Sequence, residues 1–138
     1  MRLSAGVAVF REPKTEPVFL LLRAYRNWDF AKGEVESGEA LLGAAIREVQ
    51  EETGIHDLTF PFGKVYFEIG PYGKGKIARY YLGQTQQETI FLPINPQLGK
   101  PEHHEWRWVT LTEAKTLLPD RLLPLLDWIA HIMQEKSA

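Results

Sequence analysis

The chain has 138 residues, a length that suits one domain with one core, and 44% hydrophobic with 25% charged residues is the balance of an ordinary globular protein. Its net charge of -2 gives no support to a broad polynucleotide-binding surface, and no apolar run approaches the roughly 20 residues a bilayer span requires. The absence of cysteine excludes a disulfide framework and a thiolate metal site. Met1-Arg2-Leu3-Ser4 lacks the layout of a signal peptide, so a cytoplasmic location with no membrane partner is the expectation. A small anionic substrate would need local positive charge, from side chains or from a metal.

In chain order, Leu3 to Phe10 reads as a strand and Glu12 to Pro17 as a turn. Val18 to Arg23 is a more buried strand that pairs with the first as a hairpin. Asn27 to Lys32 is a short strand or loop leading into glycine. A helix is expected from about Glu39 to Thr53, with Ser37 as N-cap, Glu39 placed well for the first turn, and Gly54 as C-cap. Its apolar stripe is Leu42, Ala45, Ile46 and Val49. Leu58 to Ile69 and Lys76 to Leu82 read as strands around a flexible hairpin loop, Gly70 to Gly75. Ile90 to Ile94 and Trp106 to Val109 read as two more. Thr110-Leu111-Thr112-Glu113 matches a capping box for a helix to about Leu118. Asp120 is expected to cap a last helix to about Gln134, with Leu122, Leu125, Leu126, Ile129 and Met133 as its stripe. Mixed strands with one helix in the middle and helices at the end suggest a layered sheet with helices on both faces.

The chemistry lies in Arg47-Glu48-Val49-Gln50-Glu51-Glu52. Glu48 is three residues from Glu51 and four from Glu52, so the three carboxylates share one helix face. Like charges at that spacing repel; Arg47 relieves part of this and a divalent cation would relieve more. Oxygen ligands with positions left for water and phosphate suit Mg²⁺ or Mn²⁺. Three glutamates alone would read as a solvated acidic face. The surroundings change that reading: Gly33, five residues, Glu39, seven residues, Arg47-Glu48, Val49, Gln50, Glu51-Glu52, Thr53, Gly54, Ile55.

This pattern resembles the Nudix box at every defined position. The resemblance implies an α+β fold, an α/β/α sandwich with a mixed β-sheet, forming one domain over residues 1–138. It implies that Glu48, Glu51 and Glu52 hold metal, Mg²⁺ or Mn²⁺, with the backbone carbonyl of Lys32 and with Glu102 as further ligands. Glu39 and Arg47 would pair to brace the loop and helix, and Gly33 and Gly38 would permit the tight loop. The implied reaction is hydrolysis of a nucleoside diphosphate linked to another group, with Glu51, Glu52 and Glu102 as catalytic carboxylates.

Three further segments are similar to the asymmetrical diadenosine tetraphosphate hydrolases within that family. Trp28-Asp29-Phe30-Ala31-Lys32-Gly33 resembles their Trp-x-Phe/Pro-Pro-Lys-Gly entry to the box, with Ala31 in place of the usual proline, and implies that Lys32 reaches a phosphate. Lys76-Ile77-Ala78-Arg79-Tyr80-Tyr81-Leu82 resembles their lysine- and tyrosine-bearing strand. Alternation puts Lys76, Ala78 and Tyr80 on one face, where Lys76 could bind phosphate and Tyr80 stack on a base, or Tyr80 could pack in the interior. Glu102-His103-His104-Glu105-Trp106-Arg107-Trp108 resembles their Glu-His pair before Arg-Trp. Glu102 then fits the late glutamate, as ligand or base, with Glu105 competing, and His103 would contact phosphate. The expected partner is a dinucleoside polyphosphate or other nucleotide. Other Nudix substrates remain open: nucleoside triphosphates, ADP-ribose, RNA 5′ ends and diphosphoinositol phosphates. A non-catalytic nucleotide sensor is disfavoured by the intact glutamates.

Overall fold

The computed structural model describes residues 2–137, with side chains through Gln134. Nine strands and three helices follow in the order β1 (Arg2–Arg11), β2 (Val18–Ala24), β3 (Asn27–Asp29), β4 (Ala31–Glu34), α1 (Leu41–Thr53), β5 (Tyr66–Tyr72), β6 (Lys76–Gln84), β7 (Ile94–Asn95), β8 (Lys100–Pro101), β9 (Glu105–Val109), α2 (Leu111–Leu117) and α3 (Leu123–Ser137). No described helix is long and apolar enough to cross a membrane.

Seven strands form one mixed sheet in the order β3-β2-β1-β6-β5, with β4 also on β1 and β9 also on β2. The β1–β6 pair is parallel and the other pairs are antiparallel. Strand β1 is central and buried from Ala5 to Phe10, because both of its faces are covered. Its even positions Ala8 and Phe10 join a core with Phe19, Leu21, Phe30, Tyr80, Ala114 of α2, Leu122 just before α3, and the α3 residues Leu125, Leu126 and Ile129. Its odd positions Ala5, Val7 and Val9 join a second core with Leu20, Leu22, Ala31, Tyr81 and the α1 residues Ala44, Ala45 and Val49. A sheet with helices packed against each face is the α/β/α sandwich that the resemblance implies.

Local signals explain some element ends. Gly54 closes α1 at φ 75°, a left-handed conformation that glycine adopts without penalty, and its N–H donates to Gln50 O at 2.9 Å. The capping box at α2 is complete: Glu113 N–H donates to Thr110 Oγ1 at 3.2 Å, and Thr110 N–H to Glu113 Oε1 at 2.8 Å.

Other expectations need correction. Ser37 does not cap α1; Ala40 occupies the cap without a side-chain bond, because the loop before it is held from elsewhere, by Arg47. Ile46 is exposed, and the buried stripe runs through Ala44, Ala45, Val49, Glu52 and Thr53. The strand read from Leu58 begins at Tyr66, apart from a lone bridge at Thr59, since Phe60-Pro61-Phe62-Gly63 turns the chain with Gly63 at φ 83°. Strand β5 continues through Gly70 and Pro71 to Tyr72, which leaves only Gly73–Gly75 as the turn. The strand read at Ile90 is confined to Ile94–Asn95. Asp120 opens a 3-10 turn to Leu122 that leads directly into α3, so Pro119, not Asp120, is the cap.

The largest correction concerns Tyr80. It is 1% exposed, packs edge-on against Phe30, and donates its hydroxyl to Asp29 Oδ1 at 2.9 Å. The alternation was read properly, but the Lys76-Ala78-Tyr80 face turns toward α3 and the core. A base cannot stack on this ring. Replacing Tyr80 with phenylalanine is expected to cost about 1.5–3 kcal/mol in urea unfolding, the range for a hydrogen bond to a charged acceptor. An unchanged midpoint would show that the hydroxyl is not engaged with Asp29.

Candidate active site

Strand β4 pairs with β1 so that Gly33 faces Ala5 and Lys32 faces Gly6, which delivers Gly33 beside α1. A Cβ on Gly33 would run into the carboxylate of Glu48, so any other residue here would push that carboxylate out of its place. The loop that follows is organised by one guanidinium. Arg47 donates to Glu39 Oε2 and Oε1 at 2.7 and 3.0 Å, to Glu34 O at 3.1 Å, to Glu48 Oε1 at 3.0 Å and to Glu51 Oε2 at 3.1 Å. Glu39 also accepts from Glu36 N–H at 3.0 Å. The Arg47 bonds, reinforced by this backbone donor, hold the Glu39 carboxyl down to about 2. Glu39 and Arg47 therefore pair in the geometry that ties loop to helix.

Between α1 and the segment from Leu92 to His103 lies a cleft of about 660 Å³, a volume in the range of small-molecule sites. One wall carries Gly33, Glu34, Glu36, Arg47, Glu48, Glu51 and Glu52; the other carries Leu92 to Gln97, Pro101, Glu102 and His103. Six carboxylates and one guanidinium line it, a density at which like-charge repulsion outweighs what Arg47 neutralises.

The three box glutamates occupy different environments. Glu51 lies at the rim with its side chain 57% exposed, and Glu48 is 12% exposed against Arg47. Glu52 is 4% exposed, and neither carboxylate oxygen has a hydrogen-bond donor. Burial pushes the Glu52 carboxyl well above its ordinary value, helped by the nearby carboxylates of Glu48 and Glu102 and opposed by the Lys32 ammonium. Glu102 is raised for the same first reason, burial, and then by Glu48. His103 places Nδ1 3.7 Å from Glu52 Oε1, also buried and without a partner, and burial lowers its imidazole to about 4. A neutral imidazole is the form that ligates metal.

Ligand atoms of Glu52, Glu102 and His103 lie within 4.8 Å of one another. Buried, undonated carboxylate oxygens beside a neutral imidazole are costly unless something positive meets them. These residues therefore fit a divalent cation. Lys32 does not line the cleft; its ammonium lies 3.5 Å from Asp29 Oδ2 and still acts on the carboxyls of Glu52 and Glu102. Lys76 is exposed at the start of β6 and does not line the cleft, nor does Tyr80. Glu105, the competitor of Glu102, is drawn off by Arg23 and Arg107, each at 3.1 Å, and these bonds lower its carboxyl.

Sequence reasoning missed the 92–97 wall, the inward turn of His103, and a cluster of Asp29 with Lys32, Tyr80 and Arg121. An aspartate between Trp28 and Phe30 was a usable signal for the cluster. Nothing local marks Arg121 as its partner.

Fold and cleft define an α/β/α domain whose inner helix presents an acidic face to an open groove. The NUDIX domain family matches residues 1–129. The chain is 32% identical over 117 residues to a bis(5′-nucleosyl)-tetraphosphatase [asymmetrical] of Caenorhabditis elegans, covering 80% of each chain. It is also 32% identical over 135 residues to an RNA pyrophosphohydrolase of Pelagibacter ubique, covering 86% of this chain and 83% of that one. A solved structure of a C. elegans Ap4A hydrolase binary complex superposes with a TM-score of 0.81 at 25% identity, covering 98% of this chain and 99% of that one. The chain belongs to the Nudix family, among its pyrophosphohydrolases.

Proposed function

We propose that the protein hydrolyses a dinucleoside polyphosphate, cleaving diadenosine tetraphosphate asymmetrically to ATP and AMP with Mg²⁺ or Mn²⁺. The observation that carries this reading is the buried Glu52 carboxylate, without a donor, facing Glu102 and His103 across the cleft. The likeness to asymmetrical tetraphosphatases supports the substrate.

In this reading Glu48, Glu51, Glu52, Glu102 and the Lys32 carbonyl hold the cation, and His103 joins them through Nδ1. A divalent cation held by these residues would supply positive charge for the phosphates and acidity for a water. Glu48 and Glu52 are held by α1 at fixed spacing, so the carboxylates meet the substrate already in place. Arg47 and Glu39 keep the β4–α1 loop from spreading. Glu102, on the wall opposite α1, is the carboxylate that accepts the proton of the attacking water where it does not hold the cation. The water oxygen bonds to phosphorus, the phosphoanhydride P–O bond breaks, and ATP leaves as AMP forms.

RNA 5′-end pyrophosphohydrolysis is a second reading, supported by relatives of that activity at 30–32% identity. Chromatography of the products decides between them. Diadenosine tetraphosphate should give ATP and AMP at a kcat/KM at least about tenfold above that for pyrophosphate release from 5′-triphosphorylated RNA, a difference of about 1.4 kcal/mol in transition-state stabilisation. Two equivalents of ADP, or a preference for RNA, would overturn the proposed substrate.

A further inference from the structure

With Tyr80 withdrawn into the core, no phenylalanine, tyrosine or tryptophan lines the cleft among the described residues. The two walls divide instead by charge. The α1 side carries Glu34, Glu36, Glu48, Glu51 and Glu52 with Arg47, whereas the opposite stretch from Leu92 to Gln97 carries no charged side chain. Ile94 is 67% exposed there, Pro93 and Pro96 are exposed beside it, and Leu92 is half-buried. A single exposed isoleucine is ordinary on a protein surface. An apolar group that faces carboxylates across a cleft suits a ligand with both characters.

This wall is a held element. Strands β7 and β8 pair Ile94 with Pro101 and Asn95 with Lys100. Asn95 closes the turn between them: its carbonyl accepts from Gly99 N–H at 2.8 Å and its Oδ1 from Gln97 N–H at 2.9 Å. Before the hairpin, Phe91 N–H donates to Thr53 O at 3.1 Å and the Phe91 ring lies against Gly54, which ties the segment to the end of α1. After it come Glu102 and His103, two of the groups that fit a cation. The register therefore sets Ile94 against the residue next to Glu102, so the apolar surface begins where the charged one ends.

We propose that Ile94, with Leu92 and Pro96, is the nucleoside wall of the cleft and covers the face of a base whose phosphates are held along α1. A nucleotide is divided as the cleft is. Its anionic chain approaches the glutamates only through a cation, and its flat uncharged ring system gains by leaving water for an apolar surface. The contact is aliphatic and non-directional, so it rewards the presence of a base without choosing among bases. This rests on the proposed nucleotide chemistry and deepens it: the hairpin favours nucleotides over bare polyphosphates. The competing account is that the hairpin only positions Glu102.

Titration calorimetry on the full chain with Mg²⁺ separates the two, comparing ATP with inorganic tripolyphosphate, which has the same number of phosphates and no nucleoside. Wild type should bind ATP more tightly. Ile94→Ser should weaken ATP about fivefold and tripolyphosphate by less than about twofold, and Ile94→Phe, which keeps an apolar surface, should hold ATP at least as well as wild type. In steady-state kinetics Ile94→Ser should raise KM for diadenosine tetraphosphate about fivefold while kcat moves less than about twofold. Thermal melts should coincide with wild type, because the side chain is mostly exposed. The binding arm stands even if wild-type protein does not turn over that nucleotide, so failure of the substrate reading remains distinguishable. Equal wild-type affinity for ATP and tripolyphosphate overturns the nucleoside wall, as does unchanged ATP affinity in Ile94→Ser. An equal loss for both ligands, or a fall in kcat at constant KM, assigns the hairpin to positioning Glu102 and overturns it too.

Discussion

Replacing Glu52 with glutamine is expected to lower kcat about a thousandfold, the middle of the range for losing a group that acts at the reacting centre. The side chain is at the base of the cleft, buried, and without a donor to either oxygen. Glutamine keeps its size and suits a helix about as well, so α1 should persist. Its amide presents one oxygen in place of two and carries no charge, which removes what a cation would bind. Stability should move the other way. Burial and the carboxylates of Glu48 and Glu102 oppose the charged form of Glu52, so the metal-free variant should melt at or above wild type at neutral pH. Glu105→Gln is the matched control, because Arg23 and Arg107 hold Glu105 outside the cleft. Its turnover should stay close to wild type. Stopped product assays with thermal melts check both variants, and near wild-type turnover in Glu52→Gln would remove α1 from the chemistry.

Exhaustive chelation is the second large effect: EDTA should abolish turnover, and added Mg²⁺ or Mn²⁺ should restore it. Six glutamates line the cleft against one arginine, and none of the described groups there can turn water into a strong nucleophile without a cation. The same ion should stabilise the fold, by about 2.7 kcal/mol at a hundred times its dissociation constant, since it relieves repulsion that only the folded chain suffers. Thermal unfolding with and without Mg²⁺ reads this directly. The shift should shrink in Glu52→Gln and survive in Glu105→Gln. Undiminished turnover in EDTA would refute metal-assisted hydrolysis.

Much of the machinery was legible because its logic is local. The positions 48, 51 and 52 share a helix face whatever surrounds them, and Gly54 and the Thr110–Glu113 box end or begin helices through atoms a few residues away. The Glu39–Arg47 pair was legible only through the family pattern, yet it too links neighbouring turns of one loop and helix. Local turn chemistry was also misread in places: Pro61 and Gly63 were a visible reason for β5 to begin late.

Other features had no local signature. Strand alternation correctly grouped Lys76, Ala78 and Tyr80, but the period of two does not say which side of the sheet the group meets. The packing of α3 decided that, and it turned a candidate base platform into a core residue bound to Asp29. The same holds for the glutamates. Glu51 and Glu52 are adjacent and chemically identical, and only the approach of β4 and the 92–103 segment leaves one at the rim and buries the other. Arg121 meets Asp29 and Tyr72 through contacts between distant parts of the chain. The sequence by itself determined the acidic helix, its charge and its glycine C-cap, because those depend on spacing along one element. The tertiary structure alone decided which carboxylate is stripped of water and which cations gather beside it, because burial and long-range ion pairs exist only once separate elements pack.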